Sequence, residues 1–559
     1  MLFRSLFFLL WFSYFGASRF LKALILLYTY IILLAVVILC VTDRGVFEHW
    51  GFRLDATPLQ FLDTPHEMLA SLTNFELISA FVGGILLWFI WCLVAHRFIR
   101  HFSFLAVISL RKKILYSVLY LLLSPILFLF MRGGWQHLPM NASLVYFSDN
   151  QYANQTAVNP VWNFFFTVAH IEAYQKENPF SYFPLAEAAE LVKPLMPLPI
   201  DSADFSILKS PRPNVIIIIW ESLTAKVFEP LGGEANVTPN LAAIAKEGLL
   251  FTNIYANGNR SDKGLPAICS AYPAQPMQSI MLLNGKMQKM PHLSHVFNTN
   301  GYRSSFYYGG DLNFGNMYAY YNRGAYAPIV GRSDFAEKDM NKKWGASDGA
   351  VVRRFLDDMP SESNHFFKVL FTLSSHEPFD VPMKPRFVGN DINAKFKNAH
   401  AYTDSCVGAL IREAKTKKWW DNTLIIILAD HGHQLPDNQD NGYDKLKIFH
   451  IPMLFTGGAL AKKGKVRTFG NQSDLAATLY HQLGWSSQNF KFSRDLFCAK
   501  QPHFAHYIFN DGFGFVDEQN TIIYKHDYNE YIEDKTLTPK IKDCAKAYLQ
   551  MTYQDFIEK

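Results

Sequence analysis

The stretch from Asn214 to Gly264 decides how the rest of this chain folds. It opens with six consecutive apolar residues, Val215-Ile216-Ile217-Ile218-Ile219-Trp220, followed by the polar pair Glu221-Ser222. An apolar run of this length predicts a strand that is buried on both faces, as in the middle of a parallel sheet. Glu221 would then lie at the carboxyl edge of that sheet, where open α/β sheets bind their ligands.

The same stretch ends in a polar, glycine-flanked loop, Asn257-Gly258-Asn259-Arg260-Ser261-Asp262-Lys263-Gly264. In this loop the hydroxyl of Ser261 stands between a cation and a carboxylate. A helix is predicted to follow, and its N-terminal amides would favour a serine alkoxide or a bound phosphate. The loop is therefore the best candidate for a reaction centre, although Ser261 could instead serve only as a helix N-cap.

A second apolar run, Leu424 to Ala429, ends in Asp430-His431-Gly432-His433. If both apolar strands end at the same sheet edge, Glu221, Asp430 and His431 meet beside the Ser261 loop. Carboxylate, imidazole and hydroxyl groups form a site suited to Mn²⁺, Zn²⁺ or Mg²⁺. A bound divalent cation lowers the pKa of a serine hydroxyl, as it does for water, and so activates the nucleophile.

Composition narrows the class of protein. Of the 559 residues, 50% are hydrophobic and 18% are charged, against a usual charged share of about 25%. With 15% aromatic residues, this predicts a membrane-embedded part. A net charge of +5 and the lack of a basic run with interleaved aromatics give no indication of nucleic-acid binding. The six cysteines have no CxxC spacing, which argues against a thiolate zinc site; Cys498 and Cys544 could pair or stay as thiols.

The first 135 residues contain long apolar segments. Three of them have the length of a membrane span, namely Leu21–Cys40, Leu77–Val94 and Ile114–Met131. A shorter segment, Leu6 to Phe15, is read as a retained membrane segment; the alternative is a signal-like segment with a cleavage site at Gly16-Ala17-Ser18.

The distribution of cations predicts the orientation of these spans. The loop between the last two spans carries five cations, Arg97, Arg100, Arg111, Lys112 and Lys113. Such a loop is expected on the cytoplasmic side. The loop from Asp43 to Glu76 is poor in cations. We therefore expect a multi-pass protein of the cell inner or plasma membrane whose large soluble region is extracytoplasmic.

The pattern after residue 135 predicts three further parts. A juxtamembrane connector spans 136–210, an α/β catalytic domain with a sheet covered by helices on both faces spans 211–500, and a C-terminal α+β extension spans 501–559. Further predicted strands are Leu249–Ile254, Tyr302–Tyr307 and Phe366–Leu373 in the catalytic domain, then Tyr507–Ile508, Gly514–Val516 and Thr521–Tyr524 in the extension. Predicted helices are Leu265–Ala271, Ala394–Ala414, Ser473–Leu483 and one near Lys540–Met551.

Three residues receive specific local predictions. Thr238, before Pro239, is expected to cap a helix, and Ser473 is expected to cap the helix that it begins. Asp404 is expected to be an exposed residue on the outer face of its helix.

Taken together, the motifs resemble those of the alkaline phosphatase/sulfatase superfamily, and within it the membrane-anchored, lipoteichoic acid synthase-like phosphoglycerol transferases. The resemblance covers residues 211–485, with a looser match of the multi-span N-terminus. It rests on the strand into Trp220-Glu221-Ser222, Thr238-Pro239-Asn240-Leu241, Asn259-Arg260-Ser261-Asp262-Lys263-Gly264, Thr372-Leu373-Ser374-Ser375-His376-Glu377-Pro378-Phe379 and Ala429-Asp430-His431-Gly432. The resemblance implies a sulfatase/alkaline-phosphatase-like mixed sheet sandwiched by helices.

The resemblance also implies roles for individual residues. One divalent cation, with manganese expected and zinc or magnesium as alternatives, would be held by Glu221, Ser261, Asp430 and His431. Ser261 stands where the family usually has a threonine nucleophile, and His376 corresponds to a histidine near the phosphate or leaving group. Independently of the resemblance, substrate contacts are predicted for Arg260, Lys263, His433 and His450, although Arg260 and Lys263 could instead be solvated loop charges.

The implied substrates are a membrane phospholipid donor and an envelope glycan or lipid acceptor, with a phosphoglycerol or similar headgroup transferred through a covalent serine intermediate. One segment departs from the family pattern. The family has a tryptophan and an arginine that bind the headgroup, and that segment aligns with Phe314-Gly315-Asn316-Met317 in this chain. The resemblance therefore does not specify the headgroup.

Two other functions compete with this one. A sulfatase or phosphodiesterase would hydrolyse its ester, and sulfatases make an aldehyde nucleophile from a Cys or Ser that has Pro or Ala two residues on and Arg four residues on. Ser261 is followed at those positions by Lys263 and Leu265, and the alternative Cys269 has Ala271 but lacks the arginine. A non-catalytic lipid-binding relative would have lost metal ligands, and the set is intact.

The predicted orientation is tested with a membrane-impermeant thiol reagent on intact cells, with any outer membrane permeabilised. A cysteine introduced after residue 211 should be labelled, because the cation-rich loop is expected inside. A cysteine introduced between residues 97 and 113 is the matched control and should stay unlabelled. Labelling of the control alone would contradict the topology.

Overall fold

The structure is a computed structural model of the chain. It describes residues 19–50, 53–56, 58–59, 74–101, 109–135, 140–148, 150–169, 177–198, 206–341, 343–359, 365–436, 446–509, 511–526, 529–536 and 540–559. The chain divides into two compact units, residues 1–175 and 176–559.

Among its described residues, the first unit contains three helices that are long and apolar enough to cross a membrane. These stretches are Ala23–Glu48, Phe75–Arg100 and Leu110–Phe130, and each overlaps one of the spans predicted from hydropathy. The predicted segment from Leu6 to Phe15 lies outside the described residues.

The helices, in chain order, are α1 (Arg19–Trp50), α2 (Asn74–His101), α3 (Leu110–Arg132), α4 (Gln151–Ala157), α5 (Pro160–Val168), α6 (Leu185–Val192), α7 (Pro239–Glu247), α8 (Ser261–Cys269), α9 (Asn284–Met287), α10 (Leu293–Thr299), α11 (Met317–Arg323), α12 (Asp348–Asp357), α13 (Ile392–Ala414), α14 (Leu446–Phe449), α15 (Leu475–Gln482) and α16 (Ile541–Glu558).

The strands are β1 (Asn214–Trp220), β2 (Leu249–Tyr255), β3 (Arg303–Tyr308), β4 (Ile329–Val330), β5 (Phe366–Phe371), β6 (Thr423–Ala429), β7 (His450–Thr456), β8 (Gly464–Asn471), β9 (Ala505–Phe509), β10 (Gly512–Val516), β11 (Thr521–Lys525) and β12 (Glu530–Lys535).

The second unit is built on an eight-stranded mixed sheet with the order β4-β3-β5-β1-β6-β7-β2-β8. Strand β1 lies near the centre, parallel to both β5 and β6, whereas β7 runs antiparallel to β6 and β2. Every residue of β1 and β6 is buried, as expected of central strands in a sheet covered on both sides. The predicted α/β fold is confirmed.

Helices cover both faces of this sheet. Val215 pairs with Phe367, so their side chains share a face, and the ring of Phe367 stacks on Phe297 of α10 with 4.1 Å between centroids. Trp220 lies five residues after Val215 and therefore points to the opposite face. There its ring lies 6.2 Å from that of His400 on α13.

Strands β4, β7, β8 and β12 were not predicted from the sequence. Strand β8 is an edge strand with several exposed positions, and polar residues are usual at a sheet edge. Strand β7 contains Pro452, which argues against a strand when the sequence is read alone. Strand β4 has only two residues.

Helix α8 begins at Ser261, four residues before the predicted start. The predicted helix, Leu265–Ala271, already contained Pro266, which cannot donate a backbone hydrogen bond within a helix. In the structure the hydroxyl of Ser279 donates instead to the carbonyl of Asp262. This side chain replaces the missing donor, so the helix can include the loop residues that carry the nucleophile candidate.

Asp404 is buried, and the expectation that it is an exposed helix residue was wrong. Its carboxylate accepts hydrogen bonds from the backbone N–H groups of Asn240, at 2.9 Å, and Leu241, at 2.8 Å. These are orphan donors in the first turn of α7. Asp404 therefore caps α7 from another helix, while the Thr238 hydroxyl, predicted to be the cap, donates to the carbonyl of Val227.

Ser473 also has a different position from the one predicted. It lies inside a short 3-10 turn, Gln472–Asp474, and α15 begins only at Leu475. The turn is capped by Asn471, whose backbone N–H donates to the Asp474 carboxylate at 2.8 Å. Ser473 lies between these two residues, inside the turn, and therefore cannot be its N-cap.

The C-terminal extension forms an antiparallel sheet of order β12-β11-β10-β9, followed by α16. Part of the predicted connector packs here, because Ala188 and Val192 of α6 share an apolar cluster with Phe513 and Leu549. The backbone N–H of Ile508 donates to the carbonyl of Asn257 at 2.9 Å. The extension thus contacts the start of the Ser261 loop. No disulfide joins Cys498 to Cys544.

The capping role of Asp404 predicts the effect of its removal. Asp404→Ala leaves two N–H groups of α7 without acceptors, which costs about 1–3 kcal/mol of unfolding free energy. The midpoint temperature of thermal unfolding of the purified protein should fall accordingly. The neighbouring Ser405→Ala, whose exposed hydroxyl donates only within its own helix, should change it little. Equal midpoints for both variants would contradict the cap.

Candidate metal centre and active site

The sheet register brings the two predicted carboxylates side by side. Trp220 at the end of β1 pairs with Ala429 at the end of the parallel strand β6. Glu221 and Asp430 are the next residues of their strands, so they leave the sheet next to each other at its carboxyl edge. The apolar core holds both strands, which fixes this pairing.

His431 and Ser261 complete the group. One ligand atom from each of Glu221, Asp430 and His431 lies within 4.8 Å of the others. The Nε2 atom of His431 is 3.4 Å from Glu221 Oε1 and 3.5 Å from Asp430 Oδ2. The hydroxyl of Ser261 donates to Glu221 Oε2 at 3.2 Å. All four side chains are buried, and we refer to them below as the four-residue cluster.

Backbone hydrogen bonds orient the members of the cluster. The Nδ1–H of His431 donates to the carbonyl of Gly432 at 2.7 Å, because a carbonyl can only accept. The lone pair of Nε2 then faces the carboxylates, as a metal ligand requires. Ser222 donates its backbone N–H to Asp430 Oδ1 at 2.8 Å and its hydroxyl to Glu221 Oε1 at 2.7 Å. Its φ of 58° is unusual for serine and is held by these two bonds.

The two carboxylates of the cluster are buried next to each other and are suited to binding a cation. Burial raises the pKa of Asp430, and the adjacent carboxylate of Glu221 raises it further. Burial alone would lower the pKa of His431, but the two carboxylates raise it. The buried Oδ2 atom of Asp430 accepts no hydrogen bond from the described residues. Two adjacent buried anions and an acceptor without a donor fit a divalent cation bound by these oxygens and Nε2.

Helix α8 packs directly against the end of β6. A Cβ atom at Gly264 would lie 1.9 Å from the backbone carbonyl oxygen of Asp430. Only glycine permits this approach. The close packing places Ser261, three residues earlier in the same turn, beside the carboxylates.

His376 lies in the loop that follows β5, the strand beside β1. Burial would raise the pKa of Glu221, but the hydrogen bond and charge of His431, together with the charge of His376, lower it. The residue before His376, Ser375, donates its hydroxyl to the backbone carbonyl of Glu221 at 2.6 Å, so the loop of His376 contacts the cluster. Unlike the four cluster residues, His376 is only partly buried.

Two of the predicted substrate contacts flank Ser261 in sequence. Arg260 is exposed and is the N-cap residue of α8. Lys263 is buried, and its Nζ donates to the carbonyl of Pro276 at 3.2 Å. Burial lowers the pKa of Lys263 to about 8. Their contact with substrate phosphate stays a prediction.

The other two predicted contacts are histidines. His433 accepts a hydrogen bond from the N–H of Leu435 at 3.0 Å, and its ring stacks on that of Phe396 at 4.8 Å. His450 begins β7, and its Nε2 donates to the carbonyl of Thr252 at 2.8 Å. The described contacts of His450 are with β2 rather than with the cluster. A role for either histidine in substrate binding stays a prediction.

One residue near the cluster was missed in the sequence. Tyr308 is the last residue of β3 and is buried. Burial raises the pKa of its hydroxyl, and the charges of Glu221 and Asp430 raise it further. It stands at a strand end like Glu221, and the same strand-end rule could have found it.

Residues 213–485 match the model of the Sulfatase family. These residues form a sulfatase-family domain. The match begins at β1, ends after α15, and includes all four residues of the cluster. The resemblance to the alkaline phosphatase/sulfatase superfamily is thereby confirmed.

A similar protein of known name is "Lipoteichoic acid synthase-like YvgJ" from Bacillus subtilis (strain 168). It is 22% identical over 386 residues, a match that covers 63% of this chain and 60% of that protein. The chain thus spans less than two thirds of that relative.

Two crystal structures share the fold of the sulfatase-family domain. A protein of the alkaline phosphatase superfamily from Vibrio parahaemolyticus has a TM-score of 0.58 and 24% identity, and the match covers 67% of this chain and 97% of that one. The lipoteichoic acid synthase LtaP from Listeria monocytogenes has a TM-score of 0.54 and 16% identity, with coverage of 67% and 99%. These two structures confirm the predicted fold class.

Metal content tests the cluster in the sulfatase-family domain. Glu221→Ala removes one of two anionic ligands, so the purified protein should lose most of its bound divalent cation, measured by elemental analysis. Glu229→Ala, an exposed glutamate in the same segment, is the matched control and should keep its metal. Unchanged metal content in Glu221→Ala would show that the cation binds elsewhere.

Proposed function

We propose that the protein is a membrane-anchored, metal-dependent phosphotransferase. It moves a phosphoglycerol or similar headgroup from a membrane phospholipid to an extracytoplasmic acceptor through a covalent intermediate on Ser261. The observation that carries this proposal is the position of the Ser261 hydroxyl, which is buried and lies 3.2 Å from Glu221 within the four-residue cluster.

Glu221, Asp430, His431 and Ser261 would hold the cation, with manganese favoured by the family resemblance. When bound, a divalent cation lowers the pKa of a coordinated hydroxyl and offsets negative charge on phosphoryl oxygens. The chain contributes the orientation, because Ser261 lies in the first turn of α8 and Gly264 keeps that turn against β6. Burial of the four side chains strengthens each electrostatic contact.

In the first step, Ser261 attacks as the alkoxide, its hydroxyl proton having passed to solvent, and its Oγ forms a bond to the phosphorus of the donor lipid. The bond from phosphorus to the glycerol oxygen of diacylglycerol breaks, and that oxygen takes a proton from His376. In the second step, an acceptor hydroxyl gives its proton to His376 and attacks the phosphorus. The Ser261–phosphorus bond then breaks, which restores the serine and completes the transfer.

The serine context favours phosphoryl transfer over sulfate hydrolysis. The positions two and four residues after Ser261 hold Lys263 and Leu265, where aldehyde formation in sulfatases needs Pro or Ala and then Arg. Both side chains are buried within α8. Without the aldehyde, Ser261 can act only through its hydroxyl.

The substrates follow from the anchor and from the relatives. Three apolar helices of the described residues precede the second unit in sequence. If they anchor the protein in a membrane, a lipid of the same membrane is available as the donor. A relative in Bacillus subtilis is named lipoteichoic acid synthase-like, and a structural neighbour from Listeria monocytogenes is named a lipoteichoic acid synthase. We therefore propose an envelope glycan or lipid as the acceptor, with the active site on the outer side of the membrane.

Substitution of the nucleophile gives a graded prediction. Ser261→Ala should lower the rate of diacylglycerol release by several orders of magnitude, because no hydroxyl remains. Ser261→Thr should retain measurable activity, since threonine keeps the hydroxyl. The release of diacylglycerol from a panel of defined phospholipids is measured with the full-length protein in detergent.

The covalent intermediate can be identified directly. After brief exposure to phospholipid and acid quenching, the tryptic peptide that contains Ser261 should carry the mass of a headgroup phosphate. An aldehyde at Ser261, or release of sulfate from sulfate esters without release of diacylglycerol, would assign the protein to the sulfatases instead.

A further inference from the structure

His376 has a hydrogen bond that defines its proton positions. Its Nδ1 atom lies 2.9 Å from the backbone carbonyl oxygen of Glu377. A carbonyl accepts and cannot donate, so Nδ1 carries the hydrogen. The Nε2 atom is then the one that exchanges a proton with a leaving or attacking oxygen, as the proposed function requires.

A tryptophan shares that carbonyl. The indole Nε1–H of Trp344 donates to the same oxygen of Glu377 at 2.5 Å. The ring of Trp344 also packs edge-on against the ring of His376, with 4.6 Å between centroids. Trp344 therefore contacts His376 twice, once through the ring and once through the carbonyl that fixes the tautomer.

The indole is itself held in place. Phe314 packs against it edge-on with 5.7 Å between centroids, and the Nζ of Lys343 lies 4.8 Å from its centroid. These contacts restrict its rotation, so the indole can serve as a rigid support for the imidazole.

Four residues after Trp344, Asp348 holds the start of the same loop. Its buried carboxylate accepts hydrogen bonds from the N–H groups of Leu373, at 2.7 Å, and Ser374, at 3.2 Å. In return, the N–H of Asp348 donates to the hydroxyl of Ser374 at 2.9 Å. Thr403 on α13 donates to the second carboxylate oxygen at 2.6 Å. The loop is thus bound at both ends by one short segment.

Thr372 and Ser375, which flank this part of the loop, contact the backbone of Glu221. The hydroxyl of Thr372 accepts from the N–H of Glu221 at 2.9 Å, and the hydroxyl of Ser375 donates to the carbonyl of Glu221 at 2.6 Å. The loop therefore connects the backbone of Glu221 to His376. Its position sets the distance between the proton donor and the cluster.

We propose that Trp344 and Asp348 are positioning residues that fix His376 for proton transfer to and from the lipid oxygen. The inference rests on the proposed function, in which His376 protonates a poor leaving group. Neither residue touches the phosphoryl group in this account. Their effect passes through the orientation and tautomer of the imidazole, where small displacements are costly.

The test compares two phosphodiesters of the same glycerol phosphate headgroup. One is phosphatidylglycerol, which has an alkyl leaving group that needs a proton. The other is glycerol phosphate p-nitrophenyl ester, whose leaving group departs as an anion without one. In full-length protein, Trp344→Phe keeps a ring but removes the indole N–H. It should lower the rate of diacylglycerol release from phosphatidylglycerol in the first turnover about tenfold or more. The rate of the p-nitrophenolate burst from the aryl ester, which precedes the second step, should change by less than about twofold.

Two further variants make the test specific. Trp420→Phe is the matched control, because this tryptophan is also half-buried beside a lysine, 6.0 Å from its ring, but lies before β6 at the opposite end of that strand. It should leave both rates unchanged. In a His376→Ala background, Trp344→Phe should cause no additional loss, since both changes remove the same proton transfer. Asp348→Asn should reproduce the selective loss with retained bound metal.

Equal slowing of both esters by Trp344→Phe, or a full additional loss in the His376→Ala background, would overturn the positioning role. If the unsubstituted protein cleaves neither ester in a Ser261-dependent reaction, the proposed function itself fails, and the inference fails with it. Slower cleavage of phosphatidylglycerol, with unchanged cleavage of the aryl ester, supports both the proposed function and the positioning role.

Discussion

The structure depends on one electrostatic constraint, the placement of two buried carboxylates at the ends of adjacent parallel strands. The apolar residues of β1 and β6 fix the strands, and the register then places Glu221 beside Asp430. Neighbouring buried anions repel each other and lose hydration, which disfavours the arrangement unless a cation is shared. The loops around the cluster position an imidazole, a hydroxyl and a close-packed helix turn where such a cation would bind.

The neighbourhood of the cluster shows how backbone geometry supports that constraint. Ser222 adopts a left-handed conformation, and Gly264 allows a helix to touch the end of a strand. Neither feature strengthens the hydrophobic core. Both bring polar groups to the carboxylates, and backbone strain like that of Ser222 is characteristic of functional sites.

Much of this arrangement could be predicted from the sequence, because it depends on short-range patterns. Apolar runs that end in Glu221 and Asp430 predicted both strands and their common edge, and the polar loop predicted Ser261. The features that were missed depend on contacts between distant segments. Asp404 caps a helix more than 160 residues earlier, and Ser279 replaces the donor that Pro266 lacks. In the sequence, nothing distinguishes Trp344 from other aromatic residues. Only the structure shows that its indole N–H and His376 share the carbonyl of Glu377.

The central claim is that one divalent cation joins the nucleophile to the buried carboxylates. It is tested most directly by anomalous X-ray diffraction from crystals of the protein grown with Mn²⁺. The account predicts a single anomalous peak within about 2.0–2.5 Å of oxygen atoms of Glu221, Asp430 and Ser261 and of the Nε2 of His431. A peak elsewhere, or one bound by the carboxylates with the Ser261 oxygen outside ligand distance, would contradict it.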